Sequence, residues 1–455
     1  MSAAYGLHDT IAAIATPPGE GGVAIIRLSG KDAVTIADRI FSGNVFSYKS
    51  HTVHYGKVKN SDGSVIDDAL VIPMLAPNSY TGENVVEIHC HGGSLVSKRV
   101  LEATLSVGAI AARPGEFTFR AFINERIDLA QAEAVQNLIA AKSDLALNAA
   151  ENQLQGKLSV LIHSYQERLT EIAAIFEAWV DFPEEGLEFA TQDEITEDIQ
   201  SIINDMQSLL ETFDDGRLLH EGLVLCLAGS PNVGKSSLMN ALIDKERAIV
   251  TDIPGTTRDI IEEDLRIHGL NVRLTDTAGI RTTNEVVEQE GIRRSKQAML
   301  DADLVLLVLD SSKPLSKEDN DLVRVSDKEK TLIVWNKIDL PQVESPILNF
   351  DHIVKLSAKQ KLGLDQLHQA IDLMIWKKGP PSKEEIVLTS TRHKEALSQA
   401  ISSCLKVIND LMNGQSPEFL IFDIRDSLGH LSKIIGRDIT EDILSSIFSK
   451  FCIGK

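Results

Sequence analysis

Long hydrophobic runs are missing from this 455-residue chain. None approaches the roughly 18 apolar residues that a membrane-spanning helix needs, so no such span is expected. Cysteine is scarce: the four present, Cys90, Cys226, Cys404 and Cys452, follow neither metal nor disulfide spacing, which suits a reducing cytoplasm. No basic stretch followed by an apolar one opens the chain, so no secretory leader is expected. Positive charge is short as well. Lys and Arg number 45 against 66 Asp and Glu, a net charge of −21 that argues against broad nonspecific adhesion to nucleic acid. RNA would have to be met by a local patch or with a partner's help. Internal repeats and low-complexity segments are also lacking. The 43% hydrophobic content is ordinary for a soluble globular protein. Single cores rarely exceed about 250–300 residues, so two or three domains are expected.

What is present centres on Gly229-Ser-Pro-Asn-Val-Gly234-Lys235-Ser236. This run follows an apolar stretch, Leu223 to Ala228, and opens a segment, Ser237 to Asp244, whose pattern predicts a helix. Strand, loop and helix in that order are what a phosphate-binding P-loop requires. Its glycines let the N–H groups around Val233 and Gly234 turn inward, Lys235 reaches the β/γ oxygens, and the Ser236 hydroxyl can ligate Mg²⁺. Residue usage alone yields such a match in roughly one or two of a hundred chains this long, so a plain Gly-rich turn is a serious rival.

Four later matches in the right order remove that rival. Asp276-Thr277-Ala278-Gly279 follows the strand-like Asn271 to Thr275 and offers a carboxylate to the metal's outer shell and a glycine N–H to the γ-phosphate. Asn336-Lys337-Ile338-Asp339 ends the apolar run Leu332 to Trp335, and an Asp there accepts both N1–H and the exocyclic amine of guanine. Ser357-Ala358-Lys359 ends another apolar run and closes over the base. Thr256-Thr257-Arg258-Asp259 supplies a switch threonine for Mg²⁺. Together they mark a GTPase of the translation-factor-related class.

One position departs from the Ras-like pattern. After Asp-x-x-Gly comes Ile280, which cannot orient a water as Gln does. No arginine finger in cis stands out; Arg258 and Arg281 are candidates that equally suit a solvated surface. Asn232 suggests another source of charge. In P-loop GTPases with Asn there, a monovalent cation can occupy the place of the finger, held by Asn232 and by carbonyls of the loop Thr251, Asp252, Ile253, Pro254, Gly255 and Thr256. K⁺ would neutralise charge on the bridging oxygen. A bracing role for Asn232 within the loop stays open.

Composition shifts divide the chain. Residues 1–122 are Gly-rich and strand-like, with Ile11 to Ala15, Gly22 to Leu28 and Val85 to His89 separated by turns, which predicts an α+β domain. Residues 123–220 turn helical, with Leu154, Leu158, Ile162, Tyr165, Leu169, Ile172, Phe176 and Trp179 forming one long amphipathic stripe. Asp181 to Asp198 holds eight acidic residues and no Lys or Arg, a solvated acidic surface or an interaction site. The GTPase occupies 221–380. Helical spacing returns over 381–455, where Gly414 stops one helix and Ser416-Pro417 starts the next. The expected fold is therefore multidomain α/β: an N-terminal α+β domain, a discontinuous all-α helical domain, and a Ras-like P-loop α/β GTPase domain inserted into it.

The chain ends carry a family resemblance. Asp9 to Gly30 (DTIAAIATPPGEGGVAIIRLSG), Pro114-Gly-Glu-Phe117, Leu129-Ala-Gln-Ala-Glu-Ala134 and Phe451-Cys-Ile-Gly-Lys455 resemble the MnmE (TrmE) family of tRNA-modification GTPases along essentially the whole length. The resemblance implies a cytoplasmic homodimer held by its N-terminal domains, and a heterotetramer with the flavoprotein MnmG. The pair installs an aminomethyl or carboxymethylaminomethyl group on C5 of the wobble uridine of certain tRNAs. A 5-formyl- or methylene-tetrahydrofolate supplies the carbon. It also implies a folate pocket at Arg27, Glu87, Arg126 and Lys455, K⁺ ligands Asn232, Thr251, Ile253 and Thr256, and Mg²⁺ ligands Ser236 and Thr257. Ser237 joins the nucleotide contacts. Glu288 falls where the family has a water-orienting carboxylate, which would compensate for Ile280, beside Lys235 and Asn232 in catalysis. Arg126 departs from the Lys of some relatives, keeping the charge but changing the reach.

Two further features are weaker. His89 and His91 would share one face of a strand as two metal ligands might, without an evident third. Cys452 is a possible thiol nucleophile or a packing residue of the tail. A regulatory or ribosome-assembly GTPase that binds RNA without modifying it is the alternative function; such proteins usually append a basic module, absent here.

Overall fold

The structure, a computed structural model, describes residues 9–181, 190–246, 263–267, 270–276, 297–344, 346–376, 379–437 and 439–454. The chain divides into two compact units. One comprises Met1–Gln136, Gln153–Thr196 and Ser402–Lys455, the other Asn137–Asn152 and Glu197–Ile401.

The first unit is built on a six-stranded sheet of order β3-β4-β5-β2-β1-β6. Its strands are β1 (Ile11–Ile14), β2 (Val23–Ser29), β3 (His54–Lys59), β4 (Val65–Met74), β5 (Val85–His91) and β6 (Ile110–Ala111). Only the β1–β6 pair is parallel. Alternation along the strands sorts the faces. Ala24, Ile26 and Leu28 of β2 and Val86, Ile88 and Cys90 of β5 point into one core with Ile36, Ile40 and Val100 from the helices Ala33–Ile40 and Ser94–Ser106. The intervening residues, Arg27, Glu87 and His89 among them, fall on the opposite face.

Helix Lys157–Asp181 buries Leu158, Ile162, Tyr165, Leu169, Ile172 and Phe176 at three- and four-residue spacing, each contributing roughly 1.5–3 kcal/mol of apolar burial. It packs on helix Pro417–Ile435, with Gln166 Nε2 donating to Ser432 Oγ at 2.9 Å. The single stripe expected from Leu154 needs correcting. Leu154 closes an earlier helix, Asp144–Leu154, and the next begins at Lys157 after Gly156, whose φ of +81° suits glycine. The acidic stretch falls partly in helix Gln192–Glu211, where Thr191 and Glu194 exchange cap hydrogen bonds; residues 182–189 lie outside the described residues. Gly414 and Ser416-Pro417 separate Thr391–Met412 from Pro417–Ile435.

The second unit carries the sheet β12-β11-β10-β7-β9-β8: β7 (Leu223–Ala228), β8 (Glu263–Ile267), β9 (Leu270–Asp276), β10 (Leu304–Asp310), β11 (Thr331–Asn336) and β12 (Ile353–Lys355). All neighbours are parallel except β8 and β9. Strands β7, β10 and β11 read as nearly unbroken apolar runs because both of their faces are covered. Their core also takes Leu218, Leu219 and Val387, so segments on either side of the strand region pack with it. Strand order reverses beside β7, and loops at the carboxyl ends of such strands form the usual ligand crevice. Among the described residues, no helix is long and apolar enough to cross a membrane.

Candidate active site

The P-loop leaves β7 at the fully enclosed Ala228. Gly229 has φ +145°, and a Cβ there would collide with the Val308 carbonyl. Gly234 has φ +102°, and a Cβ there would collide with Asn336 Nδ2. Side chains are therefore excluded at both ends of the turn. Between them Asn232 sits exposed in the left-handed region, φ +64°, which Asn tolerates better than most residues. The helix begins at Lys235, slightly earlier than the Ser237 expected, and runs to Glu246. Its first-turn N–H groups have no acceptor within the helix. Lys235, 8% exposed, curls back so that Nζ donates to the carbonyls of Gly229 at 2.6 Å and Ser230 at 2.9 Å. Ser236 and Ser237 stand exposed on the same turn, and Val233 is buried beneath it. Helix N-terminal N–H groups, an ammonium and a hydroxyl around a glycine cradle fit a phosphate with its Mg²⁺.

The base-side loops are tied to that cradle. Asn336, 2% exposed, donates from Nδ2 to the Val233 carbonyl at 2.9 Å, while its Oδ1 accepts from Lys337 N–H at 2.8 Å and Ala358 N–H at 3.0 Å. One amide thus joins three loops. Lys337, at φ +68°, donates from Nζ to the Asn232 carbonyl and to Asp310 Oδ2, both at 2.6 Å. The Ser357 hydroxyl donates to Asp339 Oδ1 at 2.6 Å, which fixes the carboxylate by one oxygen and leaves acceptor capacity for a base. Ile338 N–H reaches the Leu356 carbonyl at 3.3 Å, and Lys359 follows on the exposed rim. Asp276 ends β9 opposite Leu227 of β7, which brings its backbone to the P-loop end of the sheet. Thr251, Asp252, Ile253, Pro254, Gly255, Thr256, Thr257, Arg258, Thr277, Ala278, Gly279, Ile280, Arg281 and Glu288 lie outside the described residues. For K⁺, the described part of the ligand set is Asn232 alone.

In the first unit, Arg27 and Glu87 are register partners on β2 and β5 and form an ion pair, Nε to Oε1, at 2.8 Å. Glu87 Oε2 meets His89 Nε2 at 3.0 Å. Burial works against ionisation of Glu87, yet the His89 hydrogen bond and the Arg27 charge outweigh it and hold the carboxyl below its ordinary range. Arg27 also donates to the Gly454 carbonyl at 3.3 Å and lies 5.8 Å from the centre of the Phe117 ring. The tail is clamped there: a Cβ on Gly454 would collide with the Ile14 carbonyl, and Phe448 packs against Phe119 and Phe451. Lys455 itself lies outside the described residues. A carboxylate offers about four acceptor directions, so Glu87 keeps two for a pterin edge, and these residues fit a folate head.

Arg126 lies apart in contacts: its stem packs beside Gly82, and among the described residues no hydrogen bond or ion pair joins it to Arg27 or Glu87. Cys452 is exposed, its carbonyl accepting from Gly115 N–H at 3.4 Å. The histidine pair takes separate carboxylates: His91 binds Asp67 at 2.8 Å while His89 serves Glu87. Among the described residues, no group of three or more His, Cys, Asp or Glu side chains could hold a metal ion.

Two groups escaped the sequence reading. Asp310 closes the apolar run of β10 and grips Lys337, and its place one strand from Asn336 was the available signal. Burial opposes its ionisation, but hydrogen bonds from Lys337 and Ser312 prevail and hold its carboxyl low. The second is a buried network. Arg120, 1% exposed, binds Glu83 and Glu116 at 3.1 Å each and the Asp9 carbonyl at 2.8 Å, while Ser29 donates to Glu83 at 2.7 Å. Nothing in the local sequence marks those charges as internal.

Comparison with known proteins agrees with this geometry. The family profile described as "MnmE helical domain" matches residues 129–452, and "GTP-binding protein TrmE N-terminus" matches 10–126. A tRNA modification GTPase MnmE from Protochlamydia amoebophila is 61% identical over 98% of this chain and 98% of its own length. One of the same description from Clostridioides difficile is 43% identical over 99% of this chain and 100% of its own. The crystal structure of an Aquifex aeolicus Era variant bound to GDP·AlF4⁻ covers 40% of this chain and 66% of that chain, at 24% identity and a TM-score of 0.27. With a P-loop on a parallel sheet and full-length relatives at this level, the chain belongs to the MnmE family of tRNA-modification GTPases and is a GTP hydrolase acting in tRNA modification.

Proposed function

We propose that this chain is a potassium-activated GTPase that works as a homodimer with the flavoprotein MnmG in the cytoplasm. The two add an aminomethyl or carboxymethylaminomethyl group to C5 of the wobble uridine of certain tRNAs, with carbon from a tetrahydrofolate. The observation that carries the cation reading is Asn232, exposed and left-handed at the P-loop crest, where it is free to face the bridging oxygen. Thr251, Ile253 and Thr256 complete the proposed K⁺ ligands, and Ser236 with Thr257 the Mg²⁺ ligands. When bound, these ions supply positive charge for the leaving phosphate oxygens.

The residues of the chain do the remaining work. Lys235 moves from the loop carbonyls to the β/γ oxygens. Asp339, steadied by Ser357, accepts the guanine N1–H and amine. Glu288 orients the attacking water in place of the missing Gln. In the other unit, Glu87 pairs with the pterin edge, and Arg27, Arg126 and Lys455 offer charge to the folate's glutamyl tail. Replacing Na⁺ by K⁺ should speed hydrolysis strongly, because the charge an arginine finger would supply is worth about 10³–10⁵ in rate. Equal rates in the two salts defeat the cation reading. Failure of a tetrahydrofolate to raise the chain's thermal midpoint defeats the folate reading separately.

A further inference from the structure

We infer that Asp310 is a positioning residue of the nucleotide site, acting through Lys337 to hold the Asn232 carbonyl; this rests on the nucleotide-site reading above. The Lys337 ammonium has two short partners, the Asn232 carbonyl and Asp310 Oδ2, each at 2.6 Å. A lysine stem is flexible, and a single hydrogen bond to a carbonyl would leave it free to swing into solvent. The carboxylate removes that freedom, and it is itself anchored. Asp310 Oδ1 accepts from the Ser312 N–H at 3.0 Å and its hydroxyl at 2.6 Å. Ser311 in turn donates its N–H at 3.0 Å and its hydroxyl at 2.6 Å to the Asn336 carbonyl. The end of β10 therefore fastens both the loop that carries Asp339 and the loop that carries Asn232.

Two consequences follow from this geometry. Asn232 occupies a left-handed conformation in a loop whose neighbours are set by glycine, so its carbonyl needs an external donor to keep its direction. Lys337 is that donor, and Asp310 keeps the donor in place. The Asp310 side chain is only 11% exposed, so solvent screens the ion pair weakly.

The test is a double-mutant cycle on the full-length chain, with mant-GDP as probe and the thermal midpoint as a control. Asp310→Ala should weaken mant-GDP binding about tenfold, the usual effect of losing one charge-assisted hydrogen bond. Lys337→Ala should weaken it further, and adding Asp310→Ala to that background should change nothing. Equal weakening by Asp310→Ala in both backgrounds overturns the inference, since the residue then acts independently of Lys337. Should Lys337→Ala bind too weakly to measure, Asp310→Asn decides. That change keeps the shape and removes the charge, and it should cost several-fold in affinity without lowering the midpoint. Unchanged affinity overturns the inference. A wild-type chain that does not bind mant-GDP overturns the site assignment beneath it instead.

Discussion

Around the mostly parallel sheet, the proposed nucleotide contacts within the described residues gather at the carboxyl ends of strands: Lys235 at the start of the helix after β7, Asp339 after β11, Ser357 after β12. In the antiparallel sheet, Arg27 and Glu87 face each other in mid-strand across a register pair. Loops can be rebuilt around a ligand and use backbone N–H groups; a strand face offers only side chains whose direction the pleat dictates. The first arrangement writes its chemistry as contiguous motifs. The second scatters it over residues sixty positions apart in sequence. The same difference makes the nucleotide site sensitive to single backbone positions and the other site sensitive to charge.

Selectivity for the base should show the largest effect. Asp339→Asn removes the paired acceptor and leaves an amide that suits xanthine better. Preference for GTP over xanthosine triphosphate should fall by about 10⁴, the range seen when a site built for one hydrogen-bonding pattern meets another. Competition between the two nucleotides for hydrolysis measures it. A preserved preference for GTP would move base recognition away from Asp339 and its Ser357 brace.

Backbone geometry should matter next. Gly234→Ala places a methyl group against Asn336 Nδ2 in a conformation that alanine rarely adopts, at a strain of about 1–3 kcal/mol. Asn336 would have to release the Val233 carbonyl, so GDP affinity should drop roughly ten- to a hundredfold, by 1.4 kcal/mol per decade. Binding within twofold of wild type would show that the loops are not coupled through that amide. An alanine in the other sheet, such as Ser29→Ala at the end of β2, should leave GDP affinity untouched, which sharpens the contrast between the two units.

That contrast also explains what the sequence could show. The strand Leu223–Ala228, the helix after it and the Asn336 loop were legible because a P-loop enforces residue types at fixed spacing. The break at Gly156 was not, since apolar spacing continues in phase across it and only the left-handed φ reveals the turn. Asp310 was hidden for a related reason: a carboxylate ending an apolar run is an ordinary solvated strand end until the lysine that follows a neighbouring strand is placed beside it. Arg120 shows the limit most clearly. Its partners come from segments 37 and 4 residues away and a carbonyl 111 residues away, a pattern set by folding alone.

The smallest expected effect belongs to the strand-face site and concerns acid. The folded Glu87 carboxyl titrates below its ordinary value, so ionised Glu87 contributes stability that is fully present above the usual glutamate pKa of about 4.3 and is lost as pH falls through the depressed folded value. Glu87→Gln has no proton to gain and should flatten that part of the acid profile. It also leaves Arg27, 19% exposed in its side chain, beside a neutral amide, so the variant should start less stable at neutral pH and converge with wild type in acid. Thermal melts of the two full-length chains between neutral and strongly acidic pH, followed through the first unit's transition, test this. Parallel curves at all pH values would mean that Glu87 carries no net electrostatic stabilisation. The Arg27–Glu87 pair would then be held by the sheet register rather than by its charge.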